Sequence, residues 1–259
     1  MVTKQLLIPV LGFCIASFAG CSPAGIDASE GRASADDRGQ LTDNTERKSK
    51  IVGDPYPLAT CPVTGAILGT MGEPVTIQAY GREIRFCCEA CPDQFDSNPN
   101  YYRAKIDEVI LEQQLPVYPT DDCVVSDRHL GSMGTPVEYV IGNRLIRMCC
   151  DCQETLKDDL DNFMAKLDRA VVHSQQATYP MDVCIVSGEE LGGAHGEIIG
   201  AVIANRLFQL CCKNCVEELR REPAKHIKIL DSARMAAASG EAMPSPLGQG
   251  HDPSQPEVD

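Results

Sequence analysis

The chain has no tryptophan, and aromatic residues make up only 5% of its 259 residues. A small unit built from such a sequence has few large side chains to bury, so it calls for a metal or disulfide staple. Basic residues are scarce as well. Against 37 Asp and Glu there are 23 Lys and Arg, a formal charge of −14. Nucleic acid or an anionic lipid surface requires a basic patch, so neither is expected as a partner. Enzyme signatures are also missing: there is no Gly-x-Ser-x-Gly, His-Glu-x-x-His, Walker loop or Rossmann glycine motif. The chain is therefore read as non-enzymatic. Of its five histidines, His129, His173 and His226 read as surface residues of helices or loops and His251 as a solvated side chain.

What the sequence does have is cysteine, 14 in all. Phe86-Cys87-Cys88-Glu89-Ala90-Cys91 returns as Met148-Cys149-Cys150-Asp151-Cys152 and as Leu210-Cys211-Cys212-Lys213-Asn214-Cys215. Each cluster has one further cysteine upstream, Cys61, Cys123 or Cys184. Twelve of the 14 therefore fall into three sets of four. Cys87, Cys149 and Cys211 are 62 residues apart (149 − 87 and 211 − 149), and a period of this size marks a repeated structural unit.

Every unit follows one plan. It opens with Tyr-Pro (Tyr56, Tyr118, Tyr179) and continues into a turn holding the lone cysteine, followed by Leu-Gly. Alternating apolar residues then predict a hairpin: Val75, Ile77 and Ala79 lead through Gly81 to Ile84 and Phe86. The second predicted hairpin turns at Gly142-Asn143 and the third at Ala204-Asn205. Beyond each cluster the period becomes helical. Leu156, Leu160, Phe163, Leu167 and Val171 form one continuous stripe in the second unit, whereas Pro99 and Pro223 predict a break in the first and third. Each cluster thus falls where a strand hands over to a helix. Backbone amides at a helix start favour thiolate, the metal-binding form of cysteine. With the turn cysteine folded back, three or four sulfurs would give the site preferred by Zn(II) or Cu(I). The candidate ligands are Cys61, Cys87, Cys88 and Cys91; Cys123, Cys149, Cys150 and Cys152; and Cys184, Cys211, Cys212 and Cys215. The middle cluster is one residue shorter, so only Cys149 and Cys152 keep a spacing that a helical turn brings together, which predicts one sulfur donor fewer or a strained geometry there, and weaker binding. Met71, Met133 and His195 fall at equivalent positions; they read as packing against the hairpins, with Cu(I) ligation as the alternative.

A cysteine turn, a hairpin, Phe-Cys-x-x-x-Cys and a helix ending near Asn98-Pro99-Asn100-Tyr101-Tyr102 resemble the YHS and TRASH domains. The resemblance extends over all three units. It implies an α+β protein of three tandem treble-clef-like modules, at 55–113, 117–173 and 178–234, with a role in heavy-metal binding. In YHS modules the turn reads Asp-Pro-Val-Cys-Gly. Here Thr64, Ser126 and Ser187 stand at that cysteine's place, and the cysteine stands at the aspartate's. Two other readings of the cysteines stay open: a disulfide-stapled interaction scaffold and a thiol redox protein.

Residues 1–21 read as an export signal, with an apolar stretch from Leu6 to Gly20 that is short for a membrane span. Its end, Phe18-Ala19-Gly20-Cys21, resembles the lipobox of bacterial lipoproteins. That resemblance implies a lipid on Cys21, a membrane anchor and a periplasmic location, with the outer membrane favoured by Ser22. Residues 22–54 read as a flexible tether and 235–259 as a disordered tail, both too poor in large apolar side chains to fold.

Overall fold

The computed structural model describes residues 53–149, 152–193 and 196–240. The export signal with Cys21, most of the tether, Cys150, His195 and the tail beyond Gly240 lie outside the described residues. Within them, short antiparallel hairpins alternate with helices, an α+β arrangement. The first repeat contains β1 (Val75–Ala79), β2 (Arg82–Phe86), α1 (Cys91–Ser97) and α2 (Pro99–Gln114). The second contains β3 (Val137–Ile141), β4 (Arg144–Met148), α3 (Gln153–Asp158) and α4 (Leu160–Gln175). The third contains β5 (Ile199–Ile203), β6 (Arg206–Leu210), α5 (Lys213–Arg221) and α6 (Pro223–Ser239).

All three hairpins fold where the alternation predicts. Val75 pairs with Phe86 and Ala79 with Arg82, and the same register recurs in the other two. Each loop has two residues at positive φ: Tyr80-Gly81, Gly142-Asn143 and Ala204-Asn205. This is the turn whose twist matches the flanking strands. Beside Tyr80 at φ 54, Ala204 at φ 51 is a costly member. Its N–H and carbonyl are both held, by Asp54 at 2.6 Å and by the Arg206 guanidinium at 2.9 Å.

In each repeat a short helix bends into a long one. At Asn98 and Glu222 the following proline fixes the break, but Asp159 adopts the same backbone geometry (φ −141, ψ 50) before Leu160. The single stripe expected for the second unit is therefore two helices. A straight helix would carry Leu167 about 16 Å beyond Leu156. The bend folds both into one buried cluster with Ile146, Met148 and the cysteines, so the break belongs to packing and not to proline.

The long helix of one repeat packs on the hairpin of the next, α2 on β3 and β4 and α4 on β5 and β6. This explains why Leu145 and Leu207 are buried between residues that already face their own cores. A glutamine latches each joint, Gln114 buried and Gln175 half-buried. The Gln114 amide donates to the Asn143 carbonyl and its oxygen accepts from the Leu145 N–H, both at 2.9 Å. Gln175 makes the same pair with Asn205 and Leu207, again at 2.9 Å. The turn asparagines reach back, Asn143 to the Glu83 carbonyl and Asn205 to the Leu145 carbonyl, each at 2.9 Å. Beside each turn a buried arginine pairs with its own long helix: Arg82 with Asp107, Arg144 with Asp168 and Arg206 with Asp231.

The joint between the third and first repeats lacks both halves of the latch. Seven residues beyond Asp231, where Gln114 and Gln175 follow Asp107 and Asp168, stands the exposed Ala238; at the asparagine's place in the first turn stands Gly81. Arg85 bridges to the Arg220 and Arg221 carbonyls. The rest of that joint is an open groove of about 1000 Å³ between Leu58, Ile67 and Pro74 on one side and Ile229 and Ala233 on the other.

Three expectations are corrected. The end of the tether is buried: Asp54 donates its N–H to the Gly142 carbonyl at 2.8 Å and lies 3.6 Å from the Arg144 guanidinium. Gly53 before it has φ 94, and a Cβ there would sit 2.3 Å from the Gly142 oxygen. The tail begins later than expected, because α6 continues through the helix-favouring Arg234-Met235-Ala236-Ala237-Ala238 and stops at the left-handed Gly240. His226 is buried with its Nδ1 2.9 Å from the Glu222 carbonyl oxygen, and burial holds its pKa below the ordinary value. His129 and His173 are exposed, as expected.

Gln114→Ala leaves a carbonyl and an N–H unpaired inside the first joint, and should lower stability by about 1–3 kcal/mol in urea unfolding; no loss would show that the latch is dispensable. Burial raises the pKa of Asp54 against the opposing pull of Arg144 and the Ala204 N–H. A raised carboxyl stabilises below its unfolded value and loses that contribution as pH rises through the folded value. The stability of Asp54→Asn relative to the parent chain should therefore increase from acid towards neutral pH; a pH-independent difference would contradict this.

Candidate metal centre

The turn that carries the lone cysteine is closed by the cysteine's own backbone. The Cys61 N–H donates to the Ala66 carbonyl and the Gly65 N–H to the Cys61 carbonyl, both at 2.8 Å. The same pair recurs at Cys123 with Arg128 and Asp127, and at Cys184 with Glu189 and Gly188. Gly65, Asp127 and Gly188 all have positive φ. The turn is thus set by backbone geometry and holds its cysteine at the open end of the hairpin, where β1 begins and β2 finishes.

There it meets two cysteines from the strand-to-helix junction. Cys87, Cys149 and Cys211 directly follow β2, β4 and β6. Cys91 opens α1, Cys152 caps α3, and Cys215 lies in the first turn of α5. The trios are Cys61, Cys87 and Cys91; Cys123, Cys149 and Cys152; and Cys184, Cys211 and Cys215, with the sulfurs of each within 4.8 Å of one another. Cys87 to Cys91 and Cys211 to Cys215 are both 3.7 Å. A tetrahedral ion with metal–sulfur bonds of about 2.3 Å sets its sulfurs about 3.8 Å apart, so the trios fit such an ion. No disulfide joins the described cysteines.

The fourth cysteines sit differently. Cys88 lies 3.4 Å from Cys91 and Cys212 3.5 Å from Cys215, both half-buried, and neither completes a trio. Cys150, their counterpart, is outside the described residues. The middle set nonetheless assembles three sulfurs like its neighbours, through the Cys149 and Cys152 pair that the shortened spacing predicts. Met71 and Met133 are exposed and do not pack against the hairpins; the Arg128 guanidinium donates to the Met133 sulfur at 2.8 Å.

The charge is placed only in part as the helix-start expectation had it. Burial works against ionisation of Cys61, but N–H groups of Thr64, Cys87 and Val63 with the Thr64 hydroxyl outweigh it and draw the thiol down to about 7. Cys123 and Cys184 come down to about 7 against the same burial, helped by Ser126 and Ser187. Burial and the adjoining sulfurs push Cys91 and Cys215 up. Sulfurs this close cannot all ionise, and the charge settles on the one facing the most N–H donors. A cation would neutralise the others.

Three hydroxyls, noted in the sequence only for the place they occupy, also belong to the site. Thr64 lies 3.2 Å from the Cys87 sulfur, Ser126 3.0 Å from Cys149 and Ser187 3.3 Å from Cys211. The Thr64 and Ser187 oxygens also accept N–H bonds from Ala66 and Glu189, which fixes each hydroxyl beside its sulfur. Such partners orient a ligand and tune its affinity for a metal. Their recurrence three residues after each turn cysteine is the signal that could have found them.

Cys88 is lowered by its hydrogen bond with Cys91, and Cys212 by the Cys215 N–H. Thiolate character and access together set alkylation rate. In the reduced, metal-free chain, Cys88 and Cys212 should be alkylated before the buried Cys61 and Cys184, as read by peptide mass; the reverse order would contradict this site description. Comparison of the chain with protein-family models, with curated proteins and with solved structures finds no match.

Proposed function

We propose that this is a lipid-anchored, extracytoplasmic, non-enzymatic protein that holds soft or borderline metal ions, Zn(II) or Cu(I), on cysteine thiolates. The observation that carries this reading is the threefold recurrence of a sulfur trio. Each trio is assembled from a turn and a strand-to-helix junction that are distant in sequence. Surface cysteines without a shared role have no reason to converge in all three repeats. The turn, hairpin and helix around each trio agree with the treble-clef plan of YHS and TRASH modules. Metal sequestration, tolerance or delivery in the periplasm follows from that likeness. The anchor rests on the lipobox-like Phe18-Ala19-Gly20-Cys21. No described helix is long and apolar enough to cross a membrane.

Native mass spectrometry of the protein taken from its own envelope tests the whole reading, since one intact mass reports bound metal, disulfides and the lipid on Cys21. Metal that binds only the folded chain raises its stability by mass action. Chelation under reducing conditions should therefore lower the Tm, and reloading with Zn(II) or Cu(I) should restore it. A melting curve indifferent to chelation, or a mass with disulfides in place of metal, would sink the reading in favour of a stapled scaffold.

A further inference from the structure

In the first and third repeats the four cysteines divide into three and one. Cys88 and Cys212 stand just outside a trio, 3.4 Å from Cys91 and 3.5 Å from Cys215. Both are half-buried, whereas every trio cysteine of these two repeats is buried. A reagent from solvent therefore meets Cys88 and Cys212 first.

Both pairs are spaced for a disulfide. The Cys91 N–H donates to the Cys88 carbonyl at 3.3 Å, and a turn closed over four residues holds its end Cα atoms less than about 7 Å apart. Cys212 caps α5 and Cys215 lies in its first turn, where side chains three residues apart are neighbours. A disulfide spans Cα atoms about 4.4–6.8 Å apart and sets its sulfurs at about 2.05 Å. The sulfurs need only approach by about 1.4 Å, a shift open to a half-buried side chain. Such a bond takes Cys91 or Cys215 out of its trio. Two trio sulfurs are then left, Cys61 with Cys87 or Cys184 with Cys211, whereas Zn(II) sites supply three or four protein ligands. The middle repeat lacks an equivalent pair by spacing, since one residue separates Cys150 from Cys152.

Resting on the metal-binding reading above, we propose that Cys88 with Cys91 and Cys212 with Cys215 are sites of reversible disulfide formation, whose closure by a low-molecular-weight disulfide releases Zn(II) from the first and third trios. The accessible sulfur, Cys88 or Cys212, attacks the small disulfide, forms a mixed disulfide and expels one small thiolate. The neighbouring Cys91 or Cys215 sulfur then attacks the Cys88 or Cys212 sulfur of that bond and expels the second. Two protein thiols are oxidised to one disulfide, and the small disulfide is reduced to two thiols. These take up the two thiol protons, one of them drawn from solvent where Cys91 or Cys215 was bound as thiolate.

The test loads the full-length reduced chain with Zn(II) and adds glutathione disulfide. Zn(II) captured by a chromophoric chelator should rise as peptide mass maps the Cys88–Cys91 and Cys212–Cys215 bonds, and a phosphine reductant should restore uptake. Cys88→Ser combined with Cys212→Ser should slow that release roughly tenfold, because the remaining sulfurs of these sites are buried. The reduced variant should bind Zn(II) as tightly as the parent. Disulfides that enlist Cys61 or Cys184, release from the variant as fast as from the parent, or no release at all would overturn this inference alone. So would a reduced variant that binds Zn(II) more weakly, since Cys88 and Cys212 would then be ligands, or a reduced parent that takes up Cu(I) but no Zn(II). A reduced parent that takes up neither ion would overturn the metal-binding reading and this inference together.

Discussion

Everything in each repeat depends on holding the cysteine of the turn that precedes a hairpin against the cysteines that follow it, at the open end where the first strand begins and the second finishes. The hairpin by itself is too small to be stable, since two strands in water are marginal without a packed face. Here the packed face is shared with sulfur. Cys61, Cys87 and Cys91 are buried among Tyr56, Ile84, Phe86 and Phe95, and the equivalent clusters of the other repeats also include their cysteines. Site and core are one cluster. That answers the scarcity of aromatic residues: Phe86 and Phe95 meet edge to face at 5.6 Å in the first repeat, but the second core has no fully buried aromatic side chain and relies on Leu, Ile, Met and cysteine.

Placing the sulfurs inside the core also fixes how the repeats combine. A hairpin that spends one face on its own cysteines has the other face left to cover, and the long helix of the preceding repeat covers it. Gln114 and Gln175 satisfy the turn groups that this packing removes from water, and Arg82, Arg144 and Arg206 are buried, each paired with a partly exposed aspartate. Breaking such a pair costs more than the pair itself contributes, because an unpaired charge is left behind. The third joint is open because neither Ala238 nor Gly81 can make the bonds that close the other two. Asp54 ties the Gly142 and Ala204 turns of the second and third repeats together.

Much of this was legible in the sequence wherever one residue decides one local geometry. Alternation located the hairpins, Pro99 and Pro223 located two helix breaks, and the cysteine spacing located the junctions. The hidden features depend on several residues at once. Asp159 bends its helix because Leu156 and Leu167 share a core, and no single residue announces it. Asp54 looks like linker composition until Gly142 and Ala204 are placed beside it. The helix-start argument for thiolate agrees with Cys88 and Cys212, which are lowered, but not with Cys91 and Cys215, because it treats each cysteine alone whereas three sulfurs within 4.8 Å compete for one charge. His226 reads as an ordinary helix residue, and only the packing of α6 shows it buried.

The middle repeat shows which of these features the fold holds constant. Its cluster is one residue short, and losing a residue in a helical turn rotates the remainder of the helix by about 100°. Had helix register been fixed, Cys152 would have swung away from Cys123 and Cys149. Instead the helix start shifts relative to the cysteine. Cys91 comes after a helical cap residue at φ −80 and ψ −19, Cys152 is itself the cap at φ −93 and ψ 15, and Cys215 lies three residues past an extended cap at φ −157 and ψ 168. Three different helix starts thus deliver the last sulfur to its trio. The bend after the short helix then lets the long helix return to its place on the next hairpin. Sulfur position is the invariant, and the backbone between strand and long helix is the part that adjusts to keep it.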